Sequence, residues 1–379
     1  ETTCFLQCLQ MPDKTEPSQP DSVSSRLQAV IREAIAEAGG WLSFERFMSL
    51  ALYEPGLGYY ANGTRKFGTM PGSGSDFVTA PELSPLFGRA LAVQVRQWLE
   101  AAQADTVVEF GAGSGALAEQ LLEALGEAVR SYLIVDLSGE LRERQAQRLA
   151  RFGERVQWLD RLPEALHGVI VGNEVLDAMP VQLARWDGAQ WQERGVAWNG
   201  EAFVWADADG GPHPPVEARF VPGTVTELHR QAEAFVATLA GCLRRGAAVF
   251  IDYGFPEAEY YHPQRHGGTL MCHRGHRADA DPLVEVGLKD ITAHVNFTGI
   301  ALAGQDAGLE VLGYTSQARF LINCGLVGLM EAEGPAGRAA ALKLITEHEM
   351  GELFKVLAFG RGIDGTPVGF AEGDRTHTL

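Results

Sequence analysis

Residues 106–115, TVVEFGAGSG, limit what this chain can fold into more than any other stretch. A run of strand-forming residues leads through Glu109 and Phe110 into glycines at 111, 113 and 115, and residues 116–125 (ALAEQLLEAL) then have helix-forming composition. Strand, glycine turn and helix in unbroken succession set the N–H groups of a helix start beside a ligand, because residues without a Cβ allow the tight turn and a close approach. A nucleotide-like cofactor is the natural occupant. The triplet alone decides little, since 44 of the 379 residues are glycine and the spacing also satisfies a dinucleotide fingerprint with Ala116 in its last slot.

Two further strand-like runs supply context. Residues 132–135 end at Asp136, where a ribose-binding carboxylate belongs, and residues 156–159 end at Asp160. This succession resembles the core of class I S-adenosylmethionine (SAM) methyltransferases, an α/β fold with a Rossmann-like seven-stranded sheet. The resemblance implies that Glu109 lies near the methionine end of the cofactor, that Asp136 accepts from both ribose hydroxyls and that Asp160 receives the adenine amino group. It adds Thr79, Gly111, Ala112, Gly113, Leu137 and Asn173 to the expected cofactor-binding set. The residues themselves leave open that Asp136 and Asp160 are ordinary strand-end acids or helix caps.

Composition narrows the partners. With 46% hydrophobic residues a chain of this length can bury a substantial core. A formal net charge of −18 argues against nucleic acid, whose phosphates need clustered Lys and Arg, and suits a cationic substrate. Five scattered cysteines without a C-x-x-C pair point to a reducing compartment. No run is apolar for long enough to cross a bilayer, and ETTCFLQCLQ reads as neither a secretory signal nor a transit peptide.

Periodicity and punctuation give the organisation. Residues 1–24 are expected to be disordered, 25–100 to be an N-terminal helical and lid region, 101–365 the core, and 366–379 a flexible tail. Ser25-x-x-Gln28 has capping-box form and opens a helix ending at Gly39-Gly40; a second helix covers 44–52. The aromatic, glycine-rich stretch 56–84 is long for a plain loop and reads as functional. Core insertions are expected at about 181–220, as hairpins with alternating aromatic and polar residues, and at 253–296, which is irregular. Between them residues 226–243 read as a helix and 247–252 as a strand; helices at 297–308 and 334–350 and strands at 310–316 and 354–359 complete the sheet. His262, His266, Cys272, His273 and His276 lack the second half of a zinc pattern, and no metal is expected.

The strings Gly58-Tyr59-Tyr60, residues 76–84 (DFVTAPELS), 109–115, 173–181, Asp252-Tyr253-Gly254 and residues 290–297 (DITAHVNF) resemble the MidA family of methyltransferases, over about residues 41–360. Ser75 and Cys272 depart from the family's usual residues. The resemblance implies SAM-dependent methyl transfer to an arginine of a partner protein, a respiratory complex I subunit for the mitochondrial members, giving symmetric dimethylarginine. A guanidinium with a pKa of about 12.5 to 13.8 is a poor nucleophile, so acids must fork it into position beside the methyl. By place in the fold these are Glu174 and Asp177, with Asp252 as a third. Capping and a structural hydrogen bond ahead of Pro180 are the alternatives for the first two. Asp76, Phe77, Glu82, Tyr253 and His294 are expected on the substrate side, and Phe255, Tyr260 and Tyr261 along the arginine groove. Expected partners are a protein presenting an arginine, with a homodimer left open, and neither nucleic acid nor membrane. The expected compartment is the cytoplasm, the mitochondrial matrix being the alternative. Two other functions stay open: an assembly chaperone whose SAM site only stabilises the fold, and a nicotinamide-dependent oxidoreductase using the same glycine turn.

Overall fold

The computed structural model describes residues 20–62, 78–136, 138–275 and 277–379. Its centre is a sheet whose strands we number in chain order: β1 (Thr106–Phe110), β2 (Ser131–Val135), β3 (Val156–Leu159), β4 (Leu166–Asn173), β5 (Leu243–Phe255), β6 (Glu310–Ser316) and β7 (Phe354–Arg361). Their spatial order is 3-2-1-4-5-7-6. The five strands from β3 to β5 pair in parallel, whereas β7 is antiparallel to both of its neighbours. This is the expected seven-stranded α/β sheet. Strand order reverses between β1 and β4, so their C-terminal ends part and leave a crevice for a ligand.

Alternate residues of each strand feed two cores, as a parallel sheet covered on both faces requires. Val107, Val169, Val249 and Val356 pack against the helices Leu86–Ala102 and Ala116–Leu125. Val108, Ile170, Phe250 and Leu357 meet Arg230–Cys242 and Phe297–Asp306 on the other side. A third core lies in an annex. There the hairpin strands Gln182–Trp186, Trp191–Trp198 and Phe203–Asp209 are joined by Val225–Leu228 and by Leu42–Ser43, and the helices Pro20–Glu37 and Phe44–Tyr53 cover them. A small sheet sets Met271–Arg274 between Arg277–Asp279 and Asp290–Thr292.

Three expectations need correction. The first helix starts at Pro20 rather than at Ser25, and Val23 and Ser24 are buried, so residues 20–24 are ordered; residues 1–19 lie outside those described. Residues 225–228 are a strand, not the first turn of a helix, because Glu227 points inward and its carboxylate accepts from the N–H groups of Thr269 and Leu270 and the hydroxyl of Tyr260. The segment 366–379 is packed, not loose. Phe370 is buried against Phe320, Asp374 accepts the Tyr314 N–H at 3.0 Å, and Arg375 pairs with Glu352.

Candidate active site

The crevice opens into a cavity of about 810 Å³. At one end the chain leaves β1 through Gly111, Gly113 and Gly115, at φ of 62°, 54° and 81°, a left-handed course that residues with a Cβ adopt only under strain. A Cβ on Gly111 would also press on Val175 at 3.2 Å. Gly115 ends the turn as the N-cap of the helix Ala116–Leu125. Glu109, at the end of β1, is buried with the Tyr132 hydroxyl donating to it at 2.7 Å, and burial pushes its carboxyl up to about 8.

Asp136 follows β2 and is held from two sides. Its Oδ1 accepts the Ser138 N–H at 3.0 Å and its Oδ2 accepts from Gln145 at 2.8 Å. The same Gln145 amide donates to the Gly113 carbonyl at 2.9 Å and accepts from Trp158 at 2.8 Å, so one side chain ties the glycine turn, the β2 acid and β3 together. Asp160 is not brought in. Its side chain is 87% exposed and paired with Arg142 at 2.6 Å, off the cavity wall. Leu137, Asp76 and Phe77 lie outside the described residues.

At the end of β4, Asn173 donates to Glu174 at 3.0 Å, and Glu174 takes a left-handed backbone at φ 53° while its N–H donates to the Ile251 carbonyl. Strain of this kind in a residue other than glycine costs about 1–3 kcal/mol and persists where the surroundings enforce it. Burial, then the charge of Asp177, pushes Glu174 up to about 8, against the N–H of Ala80 and the amide of Asn173. Asp177 is buried, receives the Tyr253 hydroxyl on Oδ2, and rises to about 6 through burial. Its Oδ1 is buried and takes no hydrogen bond from another side chain. Asp252, grouped with these two by position, is off the cavity wall: its Oδ2 accepts the N–H groups of Val175, Leu176 and Asp177 at 3.1, 2.9 and 3.2 Å. It shapes the turn that carries Glu174 and Asp177.

The remaining candidates divide between the two ends. Tyr253, Thr79 and His294 line the cavity. Burial lowers His294 to about 4, so it is neutral at pH 7, and it stacks on Phe255 at 5.2 Å. Glu82 also lines the cavity but faces the glycine turn, where the Ser114 hydroxyl donates to it and Arg148 approaches at 3.4 Å; it belongs with the cofactor end rather than the substrate side. Tyr260 and Tyr261 are buried on Glu227 and do not form a groove. Sequence reasoning missed Asp290, which lines the cavity with a hydrogen bond from Tyr60, and Tyr53. The only signal for Asp290 was its place in the string 290–297, and Tyr53 lies in none of the strings.

Glu82, Glu109, Asp136, Glu174, Asp177 and Asp290 all line this one cavity, and among the described residues no Lys or Arg does. An anionic chamber at the switch point of a doubly wound sheet suits a cationic ligand set.

Residues 86–315 match the family described as "Putative S-adenosyl-L-methionine-dependent methyltransferase". Curated relatives include the mitochondrial protein arginine methyltransferase NDUFAF7 of Danio rerio, 27% identical over 91% of this chain and 90% of the relative. The Mus musculus protein of the same name is 26% identical over 90% and 86%. A crystal structure from Burkholderia thailandensis bound to S-adenosyl-homocysteine is 52% identical, covers 97% of this chain and 100% of that one, and superposes with a TM-score of 0.90.

Proposed function

Because this chain belongs to the MidA family of SAM-dependent methyltransferases, we propose that it transfers the methyl group to an arginine side chain of a partner protein. The nicotinamide alternative falls with the family assignment. The observation that carries the arginine reading is the cavity wall, six carboxylic residues and no Lys or Arg among those described. The names of the relatives, which are protein arginine methyltransferases, support it.

The residues fit SAM. The Gly111 N–H is held by the Val135 carbonyl at 3.0 Å, which fixes the left-handed turn through Gly113 at the cavity wall where a ligand can approach the backbone, and Asp136 is fixed by Gln145 and Ser138 with its carboxylate at the cavity for a pair of hydroxyls. Bound there, SAM supplies a methyl group on a positively charged sulfur. In this reading Glu174 and Asp177 accept N–H bonds from the guanidinium, which localises its charge away from the attacking nitrogen and orients it. The attacking nitrogen must also lose a proton. Glu174, pushed up to about 8, is matched to take it at neutral pH. The strained backbone at Glu174 and the three N–H bonds to Asp252 hold that turn in place before substrate arrives.

The test is residue-level: incubate the protein with methyl-labelled SAM and a panel of candidate proteins, and map the label by mass spectrometry. Label on arginine, lost in Glu174→Gln, is expected. Label on lysine, histidine or a small molecule overturns the arginine assignment. SAM binding with no transfer, and unchanged complementation by Glu174→Gln, supports the chaperone instead.

A further inference from the structure

We propose that Asp290, oriented by Tyr60, forms with Asp177 a two-carboxylate clamp that selects a planar guanidinium over other cations. The inference rests on the arginine reading above and adds the residues that read the substrate.

A closed frame of contacts holds Asp177 and Asp290. Asp177 and Asp290 come from separate elements, the turn after β4 and the strand Asp290–Thr292, yet a backbone bond joins them: the Ala293 N–H donates to the Asp177 carbonyl at 3.0 Å. On the other side the Tyr53 hydroxyl donates to the Ala178 carbonyl at 2.8 Å and the Tyr60 hydroxyl to Asp290 Oδ1 at 2.9 Å. The rings of Tyr53 and Tyr60 stack, with centroids 5.6 Å apart and planes 19° off parallel. Turn, tyrosine pair and strand therefore brace one another, and all four side chains line the same cavity.

Two features point to a ligand rather than to a structural acid cluster. Asp177 Oδ1 is buried and takes no hydrogen bond from another side chain, while its Oδ2 is taken by Tyr253. The charge of Asp290 is also felt at Glu174, whose carboxyl it helps to raise, so Asp290 acts within electrostatic reach of the methyl-side acid. A guanidinium presents five N–H donors in a flat fork and stacks on aromatic faces; an ammonium is a compact point charge with three donors. Two carboxylates beside a stacked tyrosine pair give the flat fork both its acceptors and an aromatic face, whereas an ammonium would find the acceptors without the planar match. Tyr60 acts through Asp290 and is a positioning residue.

The experiment titrates acetyl-Gly-Arg-Gly-amide and its lysine counterpart into the full-length protein saturated with S-adenosylhomocysteine, using wild type, Asp290→Asn and Tyr60→Phe, with cofactor affinity measured separately. Wild type is expected to prefer the arginine peptide. Asp290→Asn should lose roughly tenfold or more of that affinity, the scale of one charge-assisted bond, with cofactor binding unchanged. Tyr60→Phe should show a smaller loss of the same affinity and, in a separate turnover assay with SAM, a raised KM with kcat unchanged. Equal arginine-peptide binding by wild type and Asp290→Asn overturns the clamp alone, and loss of cofactor binding in Asp290→Asn overturns it in favour of a structural role. A wild type that binds neither peptide, or prefers lysine, overturns the arginine reading and the clamp together.

Discussion

Replacing Glu174 with glutamine should stabilise the unliganded protein in alkali while it abolishes transfer. The carboxyl is pushed from an ordinary 4.5 to about 8, by burial first and then by Asp177. An acid whose pKa is raised on folding holds more protons folded than unfolded between those two values. Stability is therefore full below about 4.5 and falls as pH rises to about 8. At roughly 1.4 kcal/mol per pKa unit, the penalty by pH 9 is on the order of 5 kcal/mol as an upper bound. Water entering the cavity should reduce it to about 2–4 kcal/mol. Glutamine keeps the shape and the Asn173 contact without the charge, so the penalty should vanish. Urea unfolding of wild type and Glu174→Gln from pH 5 to 9 reads the difference that the Glu174 charge makes, its effect on Asp252 included, because Glu109, raised to about 8 as well, contributes equally to both. Curves that converge near pH 5 and separate toward pH 9, with the variant more stable, are expected. Parallel curves would mean that Glu174 ionises in the ordinary range, and the proton-accepting role would fail with it.

Two other outcomes follow from the same geometry. For an arginine peptide, kcat/KM should rise with pH to a plateau above about 8 as Asp177 and then Glu174 ionise, while the limb in kcat lies lower because the bound cation favours the charged carboxylates; a flat profile between pH 6 and 8 contradicts this. Phe370→Ala should cost about 3 kcal/mol in urea unfolding, since the ring is buried against Phe320; a loss below about 0.5 kcal/mol would return residues 366–379 to the status of a loose tail.

What could be read from the chain was whatever rests on neighbours in sequence. Residues 106–125 pack strand, turn and helix into consecutive positions, and the acid after β2 follows from strand length alone, so the cofactor end was legible. The features missed are set by partners far along the chain. Asp160 looked like a strand-end ligand until Arg142 from the preceding helix claimed it, and Glu227 broke a helical pattern because a loop forty residues on needed a buried acceptor. Tyr60 and Asp290 lie 230 positions apart, and no spacing rule joins them. The C-terminal segment has the composition of a tail, but an aromatic anchor at Phe370, ion-assisted contacts at Asp374 and Arg375 and hydrogen bonds with Gln94, Gln97, Thr315 and Asn323 dock it.

The account turns on where the methyl group would lie, and a crystal structure of the protein with S-adenosylhomocysteine tests this most directly. The expected density runs from the glycine turn at Gly111 and Gly113, past Asp136, and turns its sulfur toward Glu174 and Asp177. A ligand bound elsewhere, or a sulfur facing a wall with neither carboxylate in reach, would contradict the account at its base.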